Sequence, residues 1–231
     1  VLIAIGIALC SASPAGQAQT LQQNLTPPKG LTLPEDLKTI LVTLHRRENF
    51  GTPLLQIFNA ISTFASRRPD FKIIFPVHPN PNVQNLAKEY FTHFPNIHLI
   101  EPVDYPELLF LLDRAQFILT DSGGIQEEAP FLGKPTLVLR NTTERTEAID
   151  SGSAILVGSD TDLIFQMMVS LADKHSLLYQ SMAQPNSCFG DGNASARIVN
   201  RISEYLRERT KETTLCAELS DISAIKTLSP S

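Results

Sequence analysis

From Lys38 onward, short runs of aliphatic and β-branched residues alternate with longer stretches whose apolar residues recur three and four apart. That alternation is the strongest constraint on what this chain can become. Residues 39–44 (TILVTL), 71–77 (FKIIFPV), 97–100 (IHLI), 116–120 (QFILT), 136–139 (TLVL) and 154–158 (AILVG) read as strands. Between them lie helical patterns over 53–66, 82–94, 105–115 and 125–133, and a short one near 145–152; patterns over 162–174 and 194–209 follow the last strand. In the first, Leu54, Leu55, Ile57, Phe58, Ile61 and Phe64 fall at helical spacing. Strands alternating with helices imply a parallel sheet with helices on both faces. The near-continuous apolar strands agree, because such strands are buried on both sides. The expected fold is therefore α/β: a doubly wound, Rossmann-like parallel sheet of about six strands. The strand order is not derivable from the pattern.

Composition narrows the function. Of 231 residues, 42% are apolar, enough for a sizeable core, and the net charge is −5. An acidic chain lacks the basic footprint that nucleic acid demands, so no nucleic-acid partner is expected. Cys10, Cys188 and Cys216 are far apart and form no CxxC pair, which points to a reducing, cytoplasmic setting without disulfides or zinc. Five histidines without HExxH spacing give no reason to expect a metal, and no cofactor is expected. The opening stretch, VLIAIGIALCSASPAGQAQ, has the apolar run and small residues of a secretory leader but no initiator Met and no basic start. The run is about half the ~20 residues that span a bilayer, so no membrane partner is expected. A chain beginning at Val1 reads as a piece whose first residues belong to another domain.

In open α/β sheets, ligands bind beyond the carboxyl ends of the strands. Here those ends carry His45-Arg46-Arg47-Glu48-Asn49, His78 with Asn80, Glu101, Asp121-Ser122-Gly123-Gly124, and Arg140 followed by Thr142-Thr143-Glu144-Arg145. Ser122, Gly123 and Gly124 leave a strand and enter a helix, a place where main-chain amides and the helix dipole suit an anion. Glu127 and Glu128 follow, and a capping box would need an acid or amide at Ile125 instead. One ligand reconciles glycine-bound phosphates with adjacent carboxylates: a nucleoside diphosphate, whose ribose diol donates to an acid while the amides hold the phosphates. An ordinary tight turn with Ser122 as its cap stays open beside that reading. The turn is neither GxGxxG nor a Walker loop, which disfavours NAD and ATP. His45 is a candidate proton donor, and Arg46 and Arg145 are candidate phosphate ligands. His78, among prolines and asparagines, reads on its own as a turn residue.

Taken together, VTLHRRENFG, FPVHPNPNV, EPVDYPELLFLLDRA, LTDSGGIQEEAPFLGKPTLVLRNTTERTEA and FGDGNAS, in that order over roughly 38–207, resemble the non-hydrolysing UDP-N-acetylglucosamine 2-epimerases. The resemblance implies the carboxyl-terminal half of a GT-B fold. It also implies reversible conversion of UDP-GlcNAc to UDP-ManNAc, by elimination of UDP and its re-addition. It implies that Ser122, Gly123 and Arg145 hold the diphosphate, that Gly124 shapes the turn and that Glu128 binds the ribose. His45 would assist the departing UDP, and Arg46 and His78 would contact a second, activating UDP-GlcNAc. A homodimer is implied for the full-length enzyme. Thr146, Pro79 and Val103 depart from the residues usual at their positions without removing a charged contact. The family's amino-terminal domain has no counterpart here, so this chain reads as the UDP-binding half and is expected to be inactive alone. The alternatives are another GT-B enzyme with the same pocket (a glycosyltransferase or a hydrolysing epimerase) and a non-catalytic nucleotide-sugar-binding remnant. Residues 1–37 read as an unmatched segment, 38–207 as the UDP-binding domain and 208–231 as a disordered tail.

Overall fold

The computed structural model describes residues 25–34 and 36–209. Six strands form one parallel sheet: β1 (Lys38–Thr43), β2 (Phe71–Pro76), β3 (Ile97–Ile100), β4 (Phe117–Thr120), β5 (Thr136–Val138) and β6 (Ala154–Leu156). Their spatial order is β3-β2-β1-β4-β5-β6, and every pairing is parallel. This is the Rossmann order, in which the chain winds outward in one direction to β3 and then restarts at β4 on the other side of β1. The reversal leaves a crevice between the carboxyl ends of β1 and β4.

The helices are α1 (Thr52–Arg67), α2 (Pro81–Phe91), α3 (Tyr105–Arg114), α4 (Gly123–Glu128), α5 (Thr146–Asp150), α6 (Thr161–Ala172) and α7 (Leu177–Met182). The sheet is covered on both faces because successive side chains point to opposite sides of a strand. Ile40 and Val42, with Ile73, Phe75, Phe117 and Leu119, pack under α1, α2 and α6. The intervening Leu41, Ile74 and Ile118 pack under α3 and α4 on the other face. Helix α1 starts after Gly51, at φ 82°, with proline in its first turn. It buries Leu54, Ile57, Phe58, Ile61 and Phe64, whereas Leu55 faces solvent at 39% exposure. Helix α3 opens with a reciprocal capping box between Asp104 and Glu107.

The chain divides into two compact units, Val1–Phe189 and Gly190–Ser231. The second contains a helix over 194–209, which ends two residues into the stretch read as a tail; residues 210–231, like 1–24, lie outside the described residues. No described helix is long and apolar enough to cross a membrane.

Candidate functional site

The register of β1 against β4 places Thr43 opposite Thr120, and their hydroxyls are 2.6 Å apart. The two chains therefore leave the sheet side by side, His45 from one and Asp121 from the other. Asp121 is fully buried. Its carboxylate accepts from the main-chain amides of His45 (3.1 Å) and Arg46 (2.9 Å) and from the Asn49 side chain (3.0 Å). Its Oδ1 also lies 2.9 Å from His45 Nδ1. Asn49 donates in turn to the carbonyl of Leu139, beyond β5, at 3.1 Å. One acid and one amide thus lash three strand ends together.

The glycine turn opens α4. Gly123 and Gly124 both lie outside the positive-φ region, so backbone shape does not demand glycine at either. The expectation that Gly124 shapes the turn therefore draws no support from a positive φ. Space is the better reason at Gly123, where an added Cβ would lie 3.3 Å from the Arg145 guanidinium. At Gly124 an added Cβ would meet only the Ser122 hydroxyl, at 3.9 Å, which leaves that face open. Ser122 occupies the cap position without a side-chain capping bond, so the plain capped turn is not what forms. Its N–H donates to Thr120 Oγ1 at 3.0 Å. The Ser122 amide is therefore committed, and of the expected three it is the Gly123 and Gly124 amides that lie in the first helical turn, without partners inside the helix.

Residues four apart share a helix face. Gly123 and Glu127 make one stripe, and Arg145 lies along it, its Nε 2.9 Å from Glu127 Oε1. Gly124 and Glu128 make the neighbouring stripe. Glu128 is only 2% exposed, and its Oε2 is buried without a hydrogen-bond partner. Its Oε1 accepts from the Tyr105 hydroxyl at 3.5 Å, too long for a strong bond. Burial pushes this carboxyl up to about 7, and the nearby charge of Glu127 adds to the shift. Burial, and after it Glu128, raises the Tyr105 phenol.

The remaining predicted residues converge on the same edge. The His78 ring stacks on His45 with centroids 6.1 Å apart, so its turn position places it at the crevice. Its Nδ1 accepts from the Asn80 amide at 3.2 Å. Arg46 Nη2 lies 3.9 Å from Glu144, and its Nε is buried without a partner. Glu144 also pairs with Arg145 (2.8 Å) and with Arg140 (2.9 Å), and Arg140 reaches Glu48 at 2.7 Å. A cavity of about 220 Å³ lies beside this network, lined by Glu48, Asn49, Arg140, Thr142 and Ser159 among others. A larger cavity of about 620 Å³ opens at the amino ends of β1 and β4, beside Asp36, Lys38, Gln116 and Lys134. Size alone does not make it the site, because open parallel sheets bind ligands at their carboxyl ends.

A glycine turn under an arginine, a buried acid with an unpartnered oxygen one face over and a histidine held at the end of β1 thus share one edge of the sheet. The family profile described as UDP-N-acetylglucosamine 2-epimerase matches residues 15–203. This chain belongs to that family. A Ralstonia nicotianae protein named probable UDP-N-acetylglucosamine 2-epimerase is 47% identical over 168 residues, covering 73% of this chain and 44% of the relative. The Escherichia coli K12 UDP-N-acetylglucosamine 2-epimerase is 46% identical over 173 residues, 73% of this chain and 46% of the relative. The chain thus spans less than half the length of these epimerases. A Neisseria meningitidis UDP-GlcNAc 2-epimerase solved with UDP-GlcNAc bound superposes with a TM-score of 0.75 at 37% identity, over 88% of this chain and 53% of that one. The architecture is accordingly the Rossmann-like half of the GT-B arrangement that these epimerases share.

Asp121 was legible in the sequence as a strand-end residue, but nothing in the motif marked it as the acid that holds His45. Glu127, Glu144 and Arg140 were visible as turn and strand-end residues, but their ion pairs were not, because partners depend on which loops meet. Tyr105 escaped because α3 reaches Glu128 only through the fold.

Proposed function

We propose that this chain is the UDP-binding part of a UDP-N-acetylglucosamine 2-epimerase, interconverting UDP-GlcNAc and UDP-ManNAc by eliminating and re-adding UDP. One observation carries the reading. The glycine turn and Glu128 sit on adjacent stripes of one helix, Arg145 packs against the first stripe from the loop after β5, and His45 is held by Asp121 immediately before the turn. In this reading the Gly123 and Gly124 amides, the Ser122 hydroxyl and Arg145 hold the diphosphate, where a bidentate guanidinium matches phosphate geometry. Glu128 accepts from the ribose diol, which supplies the donors its buried oxygens lack. His45 protonates or stabilises the departing UDP, where negative charge develops. Arg46 and His78 face the neighbouring space and contact a second UDP-GlcNAc. The homologous structure solved with UDP-GlcNAc bound supports the choice of ligand.

The 231 residues alone bind UDP without converting the sugar. Four acids at this edge are engaged, Asp121 by four donors, Glu127 and Glu144 by arginines and Glu128 by the ribose, so none of the four is free to exchange the C2 proton. Calorimetry with UDP and incubation with UDP-GlcNAc test this together. Binding without UDP-ManNAc is the expected result; absence of binding overturns the reading. Free ManNAc with UDP would instead identify a hydrolysing enzyme.

A further inference from the structure

We infer that Asp121 is a positioning residue that fixes the tautomer of His45, so that Nε2 is the ring atom presented to the nucleotide diphosphate; this rests on the function proposed above. A carboxylate can only accept, so the nitrogen 2.9 Å from Asp121 Oδ1 carries the ring proton. That nitrogen is Nδ1. In a neutral ring Nε2 is then a bare lone pair, and it donates to a phosphate oxygen only after taking a second proton. When it does, the cation forms against a buried anion that no solvent screens, since Asp121 is fully buried while the His45 side chain is 39% exposed. The other ionisable group against the ring is His78, stacked at 6.1 Å with its Nδ1 accepting from Asn80.

The same carboxylate takes the main-chain amides of His45 and Arg46. The imidazole's side chain and its backbone are therefore held by one acid, itself on the strand that leads into the glycine turn. The spacing of leaving-group donor and phosphate cradle follows from the pairing of β1 with β4 and from the bonds of Asp121 to His45 and Arg46. A purely structural clasp would need only the two amides and Asn49; the contact with Nδ1 adds nothing to the joining of the strands.

Long-range proton–nitrogen correlation spectra of the ¹⁵N-labelled chain test the assignment, at about pH 8.5, where an ordinary imidazole is neutral. The unsubstituted protein is expected to show His45 in the Nδ1–H form, with UDP shifting Nε2 and leaving Nδ1 nearly unmoved. In Asp121→Asn, the amide oxygen serves the backbone donors, the NH₂ donates to Nδ1, and the ring switches to Nε2–H. Asn49→Ala, which removes a donor to Asp121 without touching the imidazole, keeps the Nδ1–H form. If Asp121→Asn fails to fold, the unsubstituted spectrum still decides. An Nε2–H ring in the native protein overturns the inference whether or not UDP binds. An Nδ1–H ring in a chain that binds no UDP supports the tautomer and overturns the nucleotide role.

Discussion

Two buried acids stand at the same edge of this sheet and have opposite surroundings. Asp121, directly after β4, is saturated: two main-chain amides, an asparagine and an imidazole all point at it. Glu128, at the end of α4, is nearly as buried, yet one oxygen has no partner and the other only a long bond from Tyr105. A saturated acid holds structure together, because its lone pairs are spent inside the fold. A starved one costs stability, and its retention makes sense where a ligand supplies the missing donors. The turn between them joins a saturated acid at one end to an acid with an unpartnered oxygen at the other.

The largest effect should come from breaking the saturated side. Asp121→Ala strands four donors, and at about 1–3 kcal/mol for each buried donor left unsatisfied it should lose roughly 3 kcal/mol or more, read from urea unfolding. A loss under about 1 kcal/mol would mean the clasp is dispensable. Next is Arg145→Ala. Its ion pairs with Glu127 and Glu144 are partly exposed and worth at most about 1 kcal/mol, so stability should barely change. UDP affinity should fall roughly 10–100-fold, because a charge-assisted pair to phosphate is lost. Equal binding by the variant would remove the arginine from the site.

Glu128→Gln sharpens the contrast, because it should stabilise the free protein. The folded-state carboxyl is raised from 4.5 to about 7, so its favourable contribution exists below 4.5 and is lost as pH climbs through 7. Removing the charge should therefore raise stability at about pH 8 by about 3 kcal/mol, with the gain vanishing toward about pH 4. The ratio of UDP affinities, unsubstituted chain over variant, should fall as pH drops from about 8 to 5, since the diol donates to the ionised acid, and taking the ratio cancels protonation of groups common to both. A variant no more stable than its parent at alkaline pH would show that Glu128 is not starved. The smallest change is Gly124→Ala. Its Cβ meets only an oxygen at 3.9 Å, and alanine favours a helix over glycine by up to about 1 kcal/mol, so the melting temperature should hold or rise slightly. A fall in UDP affinity alongside an unchanged melt would place the phosphate on that open face.

Most of the element order was legible, because parallel strands buried on both sides leave unbroken apolar runs and the helices between them leave a period near four. The short helix Leu177–Met182 was missed, as a six-residue stretch carries too few turns for a period to show. Helix α4 was placed two residues late and too long: it starts at Gly123, which sequence rules treat as a turn residue, and ends at Glu128, two residues before Pro130 breaks the pattern. Among site residues, His45, Arg145 and the glycines were visible as strand-end chemistry. His78 was not visible as a neighbour of His45 until β2 was known to lie beside β1.

The sequence by itself determined that the chain is a parallel α/β sheet with histidines, arginines and a glycine turn at its strand ends, since burial periodicity and motif spacing are local properties of the chain. Only the tertiary structure decided which acid is satisfied and which is left wanting. Hydrogen-bond saturation depends on the residues that the order β3-β2-β1-β4-β5-β6 brings within 3 Å of one another, some of them separated by more than seventy positions along the chain.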